Sequence, residues 1–293
     1  MTIRKAEKAG SWYAGNGHDL SEEATACLSR AETQYGRPQA EAGTLPVAIV
    51  SPHAGLAFSG SVAAVAFRMV RDALPKVDAF VVFGACHRFR LSRPALWASG
   101  CWQTPLGDIQ VDSELARAMI LKGIGENNES AHAGDNAIEL QTPFIRFLFP
   151  EAKIVPIAMS SFPDSWRVGY AASMLASASG KTVACVASTD LTHYGAAFGI
   201  MPAGVGQPAL DWLAQNDDRF LSTLTDMDLD NIVPVAERDH SACGAGAAAA
   251  AAGWANARGC TRGVVLARTN SHEVMPNGIA EHMVGYASLA YAS

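Results

Sequence analysis

"IVSPHAG", residues 49–55, is an apolar run that stops on a histidine. Ala48, Ile49 and Val50 are apolar and partly β-branched, the composition of a buried strand. Pro52 ends it, because proline has no N–H for a ladder, and Gly55 opens the next turn. The pattern recurs twice. "FVVFGACHRF" (80–89) runs from strand through Gly84 to His87, and "VACVASTDLTHYG" (183–195) from strand to Asp190 and His193. Strand candidates are Val47–Val50, Ala79–Phe83, Ile154–Ala158, Val183–Ala187, Val264–Ala267 and Met283–Leu289. Helical patterns lie between and around them: Ser61–Ala73, Ser113–Lys122, Ile138–Leu148, Ser165–Ser177, Pro208–Asn216 and Ala242–Asn256. This alternation predicts an α/β fold, a single three-layer domain over residues 1–293 with a largely parallel central sheet. Arg93–Val111, with Trp97, Trp102 and a "TPLG" turn, reads as an inserted loop or hairpin.

Of 293 residues, 49% are hydrophobic, enough for a sizeable core. The net charge is −6 and no basic stripe stands out, which argues against nucleic acid as a partner. The longest small-apolar run, Gly244 to Ala255, is alanine and glycine and falls short of the ~20 residues a membrane span needs. It reads as a closely packed helix. The N-terminus lacks the apolar core of a signal peptide, and the six cysteines form no CxxC pair. The expectation is a cytoplasmic protein with reduced thiols and no membrane partner.

In open α/β sheets ligands bind beyond the carboxyl ends of the strands. His53, His87 and the Asp190/His193 pair each occupy such an end, so neighbouring parallel strands are expected to bring them together. Singly, each has a plainer reading. A strand-end histidine is commonly a hydrogen-bonding loop residue, and Asp190 suits a helix cap. Cys243, in "RDHSACGAGAAAA" (238–250), falls in or near the first turn of a helix, which favours its thiolate. Packing beside Gly244 and Gly246 is the alternative, and His240 is a possible helper or a cap-region residue. Two imidazoles plus one anionic donor are a common set for a redox-active metal. A carboxylate as third donor suits ferrous iron, and a thiolate admits copper or zinc more readily.

These residues sit in segments that resemble the Memo family, the protein B of the AmmeMemoRadiSam system. The segments run from end to end: "AGSWYAG" (9–15), "SPHAGLAFSG" (51–60), "FGACHRFRLSRPAL" (83–96), "TPLGDIQVD" (104–112), "DNAIELQTPF" (135–144), "STDLTHYG" (188–195), "DHSACG" (239–244) and "MVGYASLAY" (283–291). The resemblance implies a fold like class III extradiol dioxygenases of the protocatechuate 4,5-dioxygenase catalytic-subunit type. It implies His53, His87 and Cys243 as ligands of iron or copper, with Cys243 where those dioxygenases have a carboxylate. It also implies His193, with Asp190 beside it, as acid/base. One segment departs from the family: Asp135-Asn136-Ala137-Ile138-Glu139 stands where Glu-His-Ser-Ile/Leu-Glu is usual. Asn136 can donate and accept but does not titrate near neutrality. His132 is a remote candidate to compensate. Glu139 and Gln141 are expected to point into the site, Asn136 to touch the substrate, and Trp12 and Tyr13 to line the pocket mouth or join the core. In "TNSHEVMPNG" (269–278), the stretch with His272 and Glu273 reads as an ordinary turn at Pro276-Asn277-Gly278, with shaping of substrate access as the alternative.

The expected function is a metal-dependent oxidoreductase holding one iron(II) or copper ion, with zinc as the other option. Its substrate is a small, chelating molecule, and His193 moves the proton. The alternative is a non-enzymatic metal-binding redox or scaffold protein that recognises a peptide segment or modified group. Thiol catalysis by Cys243 with His193 as base ranks lowest, because it leaves His53 and His87 unexplained.

Overall fold

A computed structural model describes residues 2–38 and 44–293. Six strands form the body of a nine-stranded sheet: β1 (Pro46–Ser51), β2 (Ala79–Ala85), β3 (Lys153–Met159), β4 (Val183–Ser188), β5 (Gly263–Asn270) and β6 (Met283–Ala292). All six predicted strands are present. The centre runs β1–β4–β2–β3, all parallel. β6 lies antiparallel against β1, and β5 antiparallel against β6. Beyond β3, Ala95–Leu96 pairs antiparallel, so the sheet has a parallel core and antiparallel flanks. β5 and β6 follow one another in the chain and pair directly as antiparallel neighbours, joined by residues 271–282.

Strand side chains alternate between two cores. Ala48, Val50, Val81, Phe83, Cys185 and Ala187 face one, and Ile49, Phe80, Val82, Ala184 and Val186 face the other. Helices cover both faces. On the second lie α1 (Gly17–Tyr35), α2 (Leu56–Ala73) and part of the region leading to α4 (Thr142–Leu148). On the first lie α3 (Ser113–Leu121), α5 (Ser165–Ala178), α6 (Gln207–Thr225), α7 (Ile232–Asp239) and α8 (Ala245–Asn256). This is the α/β arrangement of a large central sheet with helices on both sides.

Helix α8 explains the alanine run. It packs against α5 so closely that a Cβ on Gly169 would stand 1.7 Å from the Ala250 carbonyl oxygen. One on Gly253 would stand 1.9 Å from the Trp166 carbonyl. Only small residues allow two backbones that near one another. No helix among the described residues is long and apolar enough to cross a membrane.

The helices depart from expectation in several places, and α2 begins at Leu56, ahead of the expected Ser61. α1 was unmarked because its buried stripe, Leu20, Ala24, Cys27 and Ala31, is mostly small residues with a faint period. α7 was hidden by Pro234 in its first turn, where proline is tolerated. α6 continues nine residues past Asn216, because Asn216 and Asp217 are buried rather than terminal. Within 138–148, a 3-10 turn at Glu139–Gln141 precedes α4, which starts at Thr142 with Pro143 in its first turn. The 93–111 segment contains a hairpin, Cys101–Trp102 against Ile109–Gln110, closed by the Gly107 N–H donating to the Thr104 carbonyl at 2.9 Å. Ile3–Arg4 adds to it in parallel. After β5, Ser271–Val274 forms one helical turn capped by Asn270, and Glu273 accepts from Thr269 at 2.8 Å.

Candidate metal centre

His53 is two residues beyond β1 and His87 two beyond β2, while Asp190 is two beyond β4. Because β1 and β2 both flank β4, the three strand ends converge. Cys243 arrives from the other direction, just before α8. That helix begins at Ala245 with Gly244 as its cap, so Cys243 precedes the helix instead of occupying its first turn. The Thr189 hydroxyl accepts from the Gly244 N–H at 2.8 Å and the Asp190 carbonyl from the Cys243 N–H at 3.4 Å, which fastens this turn to the end of β4.

The ligand atoms of His53, His87 and Cys243 all lie within 4.8 Å of one another. Cys243 Sγ is 3.2 Å from His53 Nε2, and the two imidazole rings meet edge-to-face at 5.2 Å. The ring orientations follow from what holds the far nitrogens. Ser188 Oγ donates to the Ala137 carbonyl at 2.5 Å and so spends its only proton there. It lies 3.1 Å from His53 Nδ1, so Nδ1 must carry a hydrogen, and in the neutral ring Nε2 is the bare nitrogen that faces Cys243. His87 Nδ1 lies 3.1 Å from Asp135 Oδ1, while Asp135 Oδ2 accepts from the His87 amide at 2.7 Å. Both imidazoles are thus tied back at Nδ1, the arrangement that orients histidine toward a metal. Tetrahedral zinc-like geometry would place N and S donors about 3.5 Å apart, so this set fits a transition-metal ion. Asp135 was missed as a supporting residue, because nothing in the sequence pairs it with a histidine 48 positions away.

Charge is shared across the cluster. Burial pushes the Cys243 thiol up, but the His53 charge and hydrogen bonds from His193, His53 and His87 drive it well below the usual thiol range. Burial pulls His53 down, and the charges of Cys243 and Asp190 outweigh it, raising it to about 9. The hydrogen bond to Asp135, and then that to Cys243, raise His87 to about 10. In the protein alone these describe a thiolate held by imidazolium groups. His193 is also raised, since burial is outweighed by Cys243 and Asp190. Its Nε2 is buried and, the Cys243 sulfur aside, has no hydrogen-bond partner among the described residues. It borders a cavity of about 410 Å³ shared with Cys243, Ser161, Glu237 and His240. A larger hollow of about 450 Å³, between Phe58, Met275, Ile279 and Tyr286, has none of the three donors in its wall.

The other predicted residues support the cluster or stand apart. Asp190 accepts from the His53 N–H at 2.7 Å and so fixes that loop, while burial holds its carboxyl high. Asn136 donates to the His53 carbonyl at 3.1 Å. Gln141 is fully buried and donates to the Pro52 carbonyl and to Ser188 Oγ, a bracing role instead of the expected pocket lining. Glu139 corrects the expectation more strongly. Its oxygens are taken by Arg4 at 2.5 Å, the Tyr13 hydroxyl at 2.8 Å and the Lys8 N–H at 2.7 Å, so neither Glu139 nor Tyr13 reaches the cluster. Trp12 is half-exposed beneath Lys8, and its carbonyl accepts from Leu56, the first residue of α2. His132 does not stand in for the missing histidine: its ring lies between Trp97 and Trp102, with Nε2 3.0 Å from the Ala95 carbonyl.

The Memo-like protein family model matches residues 4–290. A MEMO1 family protein of Pyrococcus abyssi is 34% identical over 82% of this chain and 84% of its own. One from Methanopyrus kandleri is 30% identical over 98% of both chains. The crystal structure of an uncharacterized protein from Escherichia coli K12 is similar in fold, with a TM-score of 0.52 and 14% identity over 84% of this chain and 99% of that one. By its matching segments and its relatives, the chain belongs to the Memo family.

Proposed function

We propose that this protein is a metal-dependent oxidoreductase in which His53, His87 and Cys243 hold one iron(II) or copper ion and His193 carries a proton for a small-molecule substrate. The observation that carries the reading is the convergence of the three donors within 4.8 Å, with both imidazoles braced at Nδ1. Iron(II) or copper bound there would supply redox chemistry and Lewis acidity toward a substrate oxygen, and the thiolate keeps zinc within reach.

The chain's own residues would do the rest. The cavity beside Cys243 is of the size that takes a small molecule. His193 borders that cavity beside Cys243, from where its imidazole would accept the proton of a substrate hydroxyl. Asp190 holds the His53 loop, and Asn136 adds a second tether to the same residue. Cys243 brings one negative charge that balances a cation against the imidazoles.

The test is elemental analysis of protein purified anaerobically, followed by oxygen uptake with a panel of aromatic diols after loading with ferrous iron. Stoichiometric metal that is lost in Cys243→Ser, together with uptake lost in His193→Ala, supports the reading. Absence of bound metal in the wild type under loading would end it. A second reading, a redox or scaffold protein recognising a peptide, is favoured by Cys243 itself, because a thiolate ligand can be oxidised. It predicts metal content without turnover, and a His193→Ala variant indistinguishable from the wild type.

A further inference from the structure

Helix α6 buries two adjacent polar residues, Asn216 and Asp217, completely. A fully buried amide and carboxylate inside a helix need partners that a helix backbone cannot supply. Asn216 finds them in two loops. Its Nδ2 donates to Thr192 Oγ1 at 2.9 Å and to the Asp239 carbonyl at 2.9 Å. Its Oδ1 accepts from Arg219, whose Nε also donates to Asp239 Oδ2 at 2.9 Å. Asp217 Oδ1 accepts from the Thr192 N–H at 3.1 Å.

Both loops lead to the centre. Thr192 precedes His193, and its carbonyl accepts from Gly285 at 2.9 Å, so the N–H, hydroxyl and carbonyl of Thr192 are all held. Asp239 ends α7. The next residue, His240, takes a left-handed φ of 49°, which is strained for a residue with a Cβ. The chain then turns through Ser241 and Ala242 into Cys243. His193, His240 and Cys243 border the same cavity. One amide thus ties the segment carrying the proton residue to the turn carrying the sulfur.

Resting on the metal-centre reading above, we propose that Asn216 is a positioning residue: by bridging Thr192 and Asp239 it sets the placement of His193 and Cys243 relative to each other and to His53 and His87. Asn216 spends both donors on segments 24 and 23 residues away.

The test uses the full chain and cobalt(II), whose charge-transfer absorption with thiolate reports the Cys243 bond directly. Asn216→Ala is expected to weaken cobalt binding about tenfold, the scale of other outer-shell losses, and to alter the charge-transfer band. Thr192→Val removes only the hydroxyl arm at constant volume and is expected to give a smaller shift in the same direction. Alkylation of Cys243 by iodoacetamide, followed by mass spectrometry in metal-free protein, is expected to change several-fold in Asn216→Ala, because a displaced turn alters access to the sulfur. A folded Asn216→Ala protein with wild-type cobalt affinity, spectrum and alkylation rate overturns the proposal. If that variant does not fold, an unchanged affinity and spectrum in Thr192→Val overturns it. A wild-type chain that binds no cobalt defeats the metal reading instead. The alkylation rates then decide on Asn216 alone, where an unchanged rate refutes its role.

Discussion

Asp135 grips His87 at two points, the ring nitrogen at 3.1 Å and the backbone N–H at 2.7 Å. The hydrogen bond to His87 is the main force against burial in holding the Asp135 carboxyl down, at about 2, so it is anionic throughout the neutral range. Asp135→Asn preserves shape but removes the charge. Metal affinity is expected to fall about 10–100-fold, measured by competition with a chromophoric chelator, while the far-UV circular dichroism stays that of the wild type.

His132 makes the fold sensitive to acid. Burial, with help from Arg4, lowers it to about 3, so the folded protein keeps it neutral. The unfolded chain takes up the proton below about 6.5. Stability from this residue is therefore complete above pH 6.5 and is lost as pH falls toward 3, up to about 5 kcal/mol. Urea unfolding between pH 4 and 7 is expected to show this slope, and His132→Gln is expected to flatten it. An equally steep slope in the variant would mean that other groups carry the acid response.

The contact between α5 and α8 has no room for a methyl group. Gly169→Ala gains about 1 kcal/mol of helix propensity, but places a carbon 1.7 Å from the Ala250 carbonyl oxygen. Backbone must move, so the variant is expected to lose about 1–3 kcal/mol or more, read as a lower urea midpoint at unchanged slope.

Arg4 and Glu139 form a buried pair, each nearly inaccessible. Arg4 also donates to the carbonyls of His132 and Asp135. Arg4→Met leaves the Glu139 charge buried and short of its strongest partner. The expected cost is about 3–5 kcal/mol, measured by denaturant unfolding. A double variant with Glu139→Gln should recover part of that loss, because the stranded charge goes with it.

The six main strands were legible because each is rich in apolar and β-branched residues, even where Pro156, Gly285 and Ser288 interrupt the run. That His53, His87 and Cys243 meet was legible too, since strand ends in an open sheet share an edge and the family motifs fall there. What escaped depends on contacts between distant positions. The helix reading stopped at Asn216 because an Asn-Asp-Asp run looks like a loop, and only the partners Thr192 and Asp239 show it to be interior. Glu139 read as a pocket residue by motif, yet Arg4 and Tyr13 lie more than 120 positions away and consume it. Asn136 in place of a histidine took its place by donating to the His53 backbone, a contact that residue type alone does not reveal.

Cys243 and His53 touch across 190 intervening positions of chain. During synthesis the imidazoles of 53 and 87 leave the ribosome long before the sulfur that completes the set. A truncated or half-made chain would therefore carry two histidines without their thiolate, and the three-donor set is complete only in a finished molecule. Such long-range closure is slow compared with helix formation, and the nascent protein spends that interval with an incomplete cluster.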